Sequence, residues 1–430
     1  NGPVGVGKDT KVTVGSIAAG TVDLSTGNYF VDSPSGDYTY AFANPGDVQA
    51  FQIQATGGSA AVASTFSTTL YTGNGSTQTI TNGLDLAGDG GLIWTKTRAI
   101  SNGHQLFDTE RGGSFNLESN TAAGNGGGMS VTFNSNGFTL GNSSSGNFSG
   151  QTLASWSFKK QTKFFDVVTY TGTGNGAADF QDISHNLGTA PGTVIIKRLN
   201  SAENWAVWHR SIPSDMLQLN VSDSSGDAGG RFTASGVANM TSTTFRVYGD
   251  NQTGASGGTY VAYLFAHDTA SDGLIQCGSY TGNGSSNGPE INLGWQPQWV
   301  LIKAATRPGG ENWVIYDAKR GLVVDAGDPA IFPSDSAAED FGQSADNSID
   351  PLPTGFKIVG TSGRVNDSYD YIYMAIRSAA APAITWPTNI EWTGGSTPST
   401  PAEGETDVYT FTTDDGGTTY TGVQSIDNAS

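Results

Sequence analysis

The 430-residue chain has one cysteine, four histidines, four methionines and only 20 lysines and arginines against 39 acidic residues. One thiol builds neither an intrachain disulfide nor a thiolate zinc site. Cys277 sits in the strand-like run 274–280, where a small buried hydrophobe is expected rather than a nucleophile. His104, His185, His209 and His267 show no metal-pair spacing, and no Gly-x-Ser-x-Gly elbow is present. The shortage of positive charge leaves a net −19, which favours solubility and argues against nucleic acid or an anionic membrane surface as partner. No run of about 18 apolar residues is found, so no membrane insertion by a helix is expected. Long stretches of helical periodicity with caps are missing too.

Sixty glycines, with abundant Ser, Thr, Asn and Asp, supply turns. Between them lie short runs of Val, Ile, Thr, Tyr, Phe and Trp, which suit a pleated surface. The expected class is all-β. One pattern occurs three times. Tyr-Thr-Gly-Asn-Gly at Tyr71 and Tyr280, and Tyr-Thr-Gly-Thr-Gly at Tyr170, open the copies at spacings of 99 and 110 residues. Each continues through an apolar run ending in Lys96, Lys197 or Lys303 and finishes on a strand near 153–158, 259–265 or 369–377. Such spacings are domain-length, too long for a solenoid unit. The Gly-rich openings are turns rather than phosphate loops, since no Lys-Ser/Thr follows. Three homologous antiparallel β-sandwich-like domains are expected at 66–160, 165–268 and 272–378.

Residues 1–10 read as a linker. From Lys11 to residue 58, alternating strands and Gly/Pro breaks predict an antiparallel meander. About three more strands follow between 380 and 425. Neither end has enough chain for a core of its own, so 11–58 plus 380–425 are expected to form one discontinuous β domain into whose loop the repeats are inserted. A start at Asn1 rather than Met leads us to expect a processed chain or a fragment of a longer one. The acidic surface also raises calcium as a cofactor. Asp85 and Asp89, and Asp414 and Asp415, are the carboxylates to examine, although neither pair matches the twelve-residue calcium loop.

Aligning the repeats puts His104, Trp205 and Trp313 at one position, and Phe107, Trp208 and Tyr316 three residues later. On a strand, an odd separation sends two side chains to opposite faces. Asp108, His209 and Asp317 come next, with Arg111 and Arg320 completing Asp-x-x-Arg in the first and third copies. Two readings are open. In one, the aromatics are core and the Asp–Arg pair pins a loop. In the other, Trp205, Trp208, Trp313, Tyr316, Asp317 and Arg320 make a stacking platform for a sugar ring.

Asp23-Leu-Ser-Thr-Gly-Asn-Tyr-Phe30 with Tyr38–Pro45 resembles the first half of a module found in phage tail fibres. Ile384–Gly395 with Asp407–Thr418 resembles its second half. The repeats, with their Tyr-Thr-Gly-Asn-Gly, Asp-x-x-Arg-Gly and Tyr-Ile-Tyr-Met-Ala-Ile-Arg signatures, resemble tandem domains of marine-phage virion proteins. The resemblance implies a non-enzymatic virion-surface protein, a tail fibre that binds a host cell-surface glycan, associates with other virion proteins and forms a homotrimer. A capsid or tail decoration protein is the alternative. A glycan-degrading enzyme is a second one, and it would need two carboxylates across a groove.

Overall fold

A computed structural model of the chain describes residues 17–18, 21–25, 29–32, 38–43, 50–56, 62–141, 146–233, 236, 238–270, 272–324, 327–341, 347–378, 384–398, 406–415 and 417–429. The linker expected at 1–10 and the strand expected to open at Lys11 lie outside them. The described residues contain strands and no α-helix. The chain divides into two compact units, Asn1–Ala61 with Ala379–Ser430, and Val62–Ser378.

The discontinuous unit takes its main sheet from both chain ends. The strand order is Tyr29–Asp32, Ala50–Thr56, Thr406–Thr412, Tyr420–Ala429, Ile390–Trp392. Ala50–Thr56 pairs antiparallel with Thr406–Thr412 across some 350 residues of chain. The predicted meander is corrected here. Tyr29–Asp32 runs parallel to Ala50–Thr56, and Thr21–Asp23 runs parallel to Ala41–Ala43. The antiparallel partner that a meander would draw from the adjacent segment comes instead from the other end of the chain. Phe30, Tyr40, Phe51, Ile53, Trp386, Tyr409, Phe411 and Tyr420 fill one core, with Tyr40 stacked on Trp386 at 4.9 Å. Neither half could bury these rings alone.

In the second unit each repeat builds a larger and a smaller sheet, the third adding a two-stranded ribbon of Pro329–Ala330 with Asp340–Phe341, and all strand pairs are antiparallel. The larger sheet has a common order: an opening strand (Phe66–Thr72, Phe165–Thr171, Ile275–Thr281), a closing strand (Thr152–Lys159, Thr259–Ala266, Asp370–Arg377), a lysine strand (Gly91–Thr97, Pro191–Arg198, Pro297–Ala304) and a signature strand (Gln105–Asp108, Ala206–His209, Val314–Asp317). Lys96, Lys197 and Lys303 face Ala154, Val261 and Ile372 on the closing strands, the same register position three times.

The lysine strands are buried along almost their whole length. Strands that read as continuous apolar runs are covered on both faces. In the third repeat one face carries Val300, Ile302, Val314 and Tyr316 into the core shared with Phe356 and Ile358 of the smaller sheet. The other face turns to the remaining repeats. There Trp299 of the third repeat meets Phe66 and Phe158 of the first at 6.2 and 5.9 Å, and Phe158 meets Phe265 of the second at 5.5 Å. The three large sheets thus stand back to back around an aromatic axis.

Candidate functional site

The chemistry singled out in the sequence collects where one repeat meets the next. In each repeat the residue before the signature strand crosses to the neighbour and bonds a main-chain oxygen. Trp205 Nε1 of the second repeat donates to Glu118 O of the first at 3.2 Å, and Trp313 Nε1 of the third donates to Gln218 O of the second at 2.9 Å. His104 of the first repeat uses Nε2 on Phe332 O of the third at 3.0 Å, which closes a ring. His104 Nδ1 accepts from Trp94 Nε1 at 2.8 Å, so the imidazole is neutral with its proton on Nε2.

Two backbone bonds repeat the same cycle. Glu203 N bonds Ala122 O, Glu311 N bonds Ser222 O, and Asn102 N bonds Ser336 O, all at 2.8–2.9 Å. Three residues further on, Asn125 N, Ser225 N and Glu339 N bond Leu199 O, Ala305 O and Arg98 O. The lysines take part as well. Lys197 Nζ donates to Ala122 O and Glu203 O, and Lys303 Nζ to Ser222 O and Glu311 O. Burial lowers Lys96, Lys197 and Lys303 to about 8 each. For Lys96, Glu339 and Asp335 of the third repeat act against that burial.

The end of the signature strand carries the third link. Asp317 receives Arg320 N at 2.9 Å, Arg320 Nε at 2.5 Å and Trp156 Nε1 of the first repeat at 2.9 Å. Arg320 also reaches Glu339 at 2.8 Å and Ile315 O at 2.8 Å, and Glu339 holds Arg98 of the first repeat at 2.6 Å. Burial alone would lower the Arg320 pKa, but the Asp317 and Glu339 carboxylates outweigh it and hold the guanidinium above its ordinary value. In the first repeat Asp108 takes Arg111 Nε at 2.6 Å and the hydroxyl of Tyr263 from the second at 2.8 Å. The turn after both boxes depends on glycine, because Gly112 and Gly321 sit at φ +78 and +117.

The second repeat solves the same junction differently. His209 Nδ1 accepts from Ser211 N at 3.1 Å, and Nε2 donates to Tyr373 O of the third repeat at 3.2 Å. Register aligns Trp156, Tyr263 and Met374 on the closing strands. Where the partner is Met374, with no N–H or O–H to donate, the acid is replaced by a side chain that donates to the backbone.

A family model described as Domain of unknown function (DUF7483) matches residues 62–380. The chain belongs to that family. The match coincides with the compact unit Val62–Ser378, so the DUF7483 domain is the whole three-repeat ring and not one repeat. The chain matches no curated protein and no solved structure.

Within the DUF7483 domain the sugar-platform reading of the aromatics is corrected. Trp205, Trp208, Trp313, Tyr316, Asp317 and Arg320 are all buried, at 0–5% exposure. No ring face is left for a ligand, because the outward face of each signature strand is covered by another repeat. The opposite-face argument itself holds: Tyr316 enters the core of its own repeat while Trp313 crosses to the second. Three of the four candidate calcium carboxylates are otherwise engaged. Asp85 caps Gly88 N, Asp89 pairs with Lys159, and Asp415 accepts from Thr418 N, Thr419 N and the Thr413 hydroxyl. The Thr419 amide, with the threonine hydroxyls, holds Asp415 down to about 2. Among the described residues, no group of three or more His, Cys, Asp or Glu could hold a metal ion. Cys277 is fully buried, and burial pushes its thiol up to about 12.

An open cleft that sequence reasoning missed lies on the first repeat. Its volume is about 440 Å³ and its walls include Gln105, Asn116, Glu118 and Thr121. These residues come from separate segments, and no spacing rule links them. The one available signal was a Gly-rich stretch, 124–128, too common in this chain to stand out.

Proposed function

We propose that this is a non-catalytic phage virion-surface protein, a tail-fibre component whose DUF7483 domain serves host attachment by binding a cell-surface glycan. The observation that carries the reading is the discontinuous unit. The two segments that resemble the halves of a fibre module, more than 300 residues apart, contribute to a single sheet and a single core. A module that stays whole around an insertion of this size suits a carrier for a presented head. The use of the Asp, Arg, His, Trp and Lys signatures as internal links supports a binding and scaffolding role over a catalytic one. The reading keeps other virion proteins as neighbours and three chains per fibre as its expectation.

The test is immunogold labelling of intact virions with antibody raised to the full chain. Label on tail fibres is the expected result. Label spread over the capsid shell would replace the attachment role with a decoration role.

A further inference from the structure

The cleft on the first repeat has a floor of polar side chains linked in a line. Asn116 Nδ2 donates to Gln105 Oε1 at 2.6 Å, and Gln105 Nε2 donates to Glu118 Oε1 at 2.9 Å. These two bonds fix both amides, so the atom Asn116 leaves over is its oxygen. That oxygen is buried and has no partner, and the same holds for Thr121 Oγ1. A buried polar atom without a partner costs about 1–3 kcal/mol. Two of them lining one cleft suit an occupant, water or ligand, that donates to the Asn116 oxygen and exchanges a hydrogen bond with the Thr121 hydroxyl.

The sister repeats make the point sharper. Equivalent positions follow from the shared pairings Leu106↔Leu117, Val207↔Leu217 and Ile315↔Ile331. Gln105 then corresponds to Ala206 and Val314, Asn116 to Met216 and Ala330, and Glu118 to Gln218 and Phe332. The fold is built twice with apolar residues where the first repeat has its Asn–Gln pair. The polar line is therefore no requirement of the sandwich. The access side fits the same purpose. A Cβ at Gly126 would come within 2.8 Å of Asn116 Oδ1, while one at Gly127 or Gly128 would meet nothing within 4 Å. Glycine at 126 spares that oxygen a clash with a Cβ, and the second repeat keeps glycine at the matching Gly226.

We propose that this cleft binds one residue of a neutral glycan, with adjacent sugar hydroxyls donating to Asn116 Oδ1 and the Glu118 carboxylate and a third exchanging a hydrogen bond with Thr121. The Glu118 charge disfavours sialic and uronic acids in the same cleft. A cleft of a few hundred Å³ with a small number of aimed polar groups is the usual form of such sites. The proposal deepens the attachment reading by naming its ligand class and site.

Saturation-transfer-difference NMR of the full chain tests it, with glucose, galactose, mannose, N-acetylglucosamine and their β-linked disaccharides against glucuronate and sialic acid. Transfer to at least one neutral sugar and to neither acid is expected. Gln105→Ala/Asn116→Met, which installs the second repeat's residues, should weaken that binding about tenfold or more, the loss of one or two hydrogen bonds. Thr121→Val and Gly126→Ala should each weaken it too and guard against misfolding of the double variant. The proposal is overturned if no neutral sugar shows transfer, if the acids bind equally, or if folded variants bind as well as the parent. Sugar binding by a chain that labels only the capsid would overturn the attachment reading and leave the cleft standing. Fibre labelling without sugar binding would do the reverse.

Discussion

The third and second repeats close the same kind of junction by opposite means. In the third, a buried Asp317 is neutralised by Arg320 and receives Trp156 from across the junction. In the second, a neutral His209 donates to a backbone oxygen across it. The comparison teaches that the ring needs one directional hydrogen bond at this point and not a charge. An ion pair here demands two or three compensating partners, because a charge taken out of water must be fully satisfied. The imidazole demands only Ser211 N and Tyr373 O.

The sharpest way to break the comparison is Arg320→Ala. It leaves Asp317 buried without its cation and Glu339 with Arg98 alone, and a loss of about 3–5 kcal/mol is expected. Urea unfolding of the Val62–Ser378 unit, followed by tryptophan fluorescence, measures it. A cost no larger than that of His209→Gln would end the distinction drawn here. Next comes His209→Asp, which installs the acid of the other repeats where Ile212 stands in place of arginine and the facing atom is Tyr373 O. About 3 kcal/mol should be lost to an unpaired buried carboxyl by the same measurement. Trp156→Phe removes the cross-junction donor to Asp317 while keeping the aromatic edge, and about 1.5–2 kcal/mol is expected, as for a hydrogen bond to a charged group. A double-mutant cycle with Arg320→Ala would show whether the two contacts act as one network.

The smallest effect is a pH dependence. Burial, assisted by Arg210 and His267, lowers His209 from 6.5 to about 3. The unfolded chain therefore takes up this proton below about 6.5 and the folded chain only near 3. The stability linked to His209 is present above 6.5 and is lost progressively as pH falls toward 3. His209→Gln keeps a donor without the titration, so its stability should fall less than the parent's between pH 6.5 and 4. Parallel curves for the two proteins would refute the assignment.

Much of this was legible in the residues and some was not. Tyr71, Tyr170 and Tyr280 marked the repeats, and the register of the three lysines agrees with the alignment drawn from sequence. Odd spacing also separated Trp313 from Tyr316 correctly. What covered the outward face was not readable. The acceptors Glu118 O, Gln218 O and Phe332 O belong to the main chain, which carries no sequence signature. A clue was available in Leu92-Ile-Trp and in the closing run Tyr260–Phe265, whose lack of alternation signals burial on both faces. Similarly, the vacant oxygens of Asn116 and Thr121 are defined by bonds that are not made, and a pattern of residue types does not encode that.

The ring also has a consequence for how such a molecule can change over generations. When three identical chains form a threefold object, one gene writes all three junctions, and any substitution lands three times at once. Here each junction has its own codons. His209 and Met374 could depart from the acid-and-donor pairing while Asp108 with Tyr263 and Asp317 with Trp156 kept it. The same freedom let the first repeat place an Asn–Gln pair at its cleft where the second, with a matching cleft, has Met216 and Ala206. Covalent linkage thus turns a symmetric assembly into three separately heritable parts, of which one can be specialised while the other two keep the structure closed.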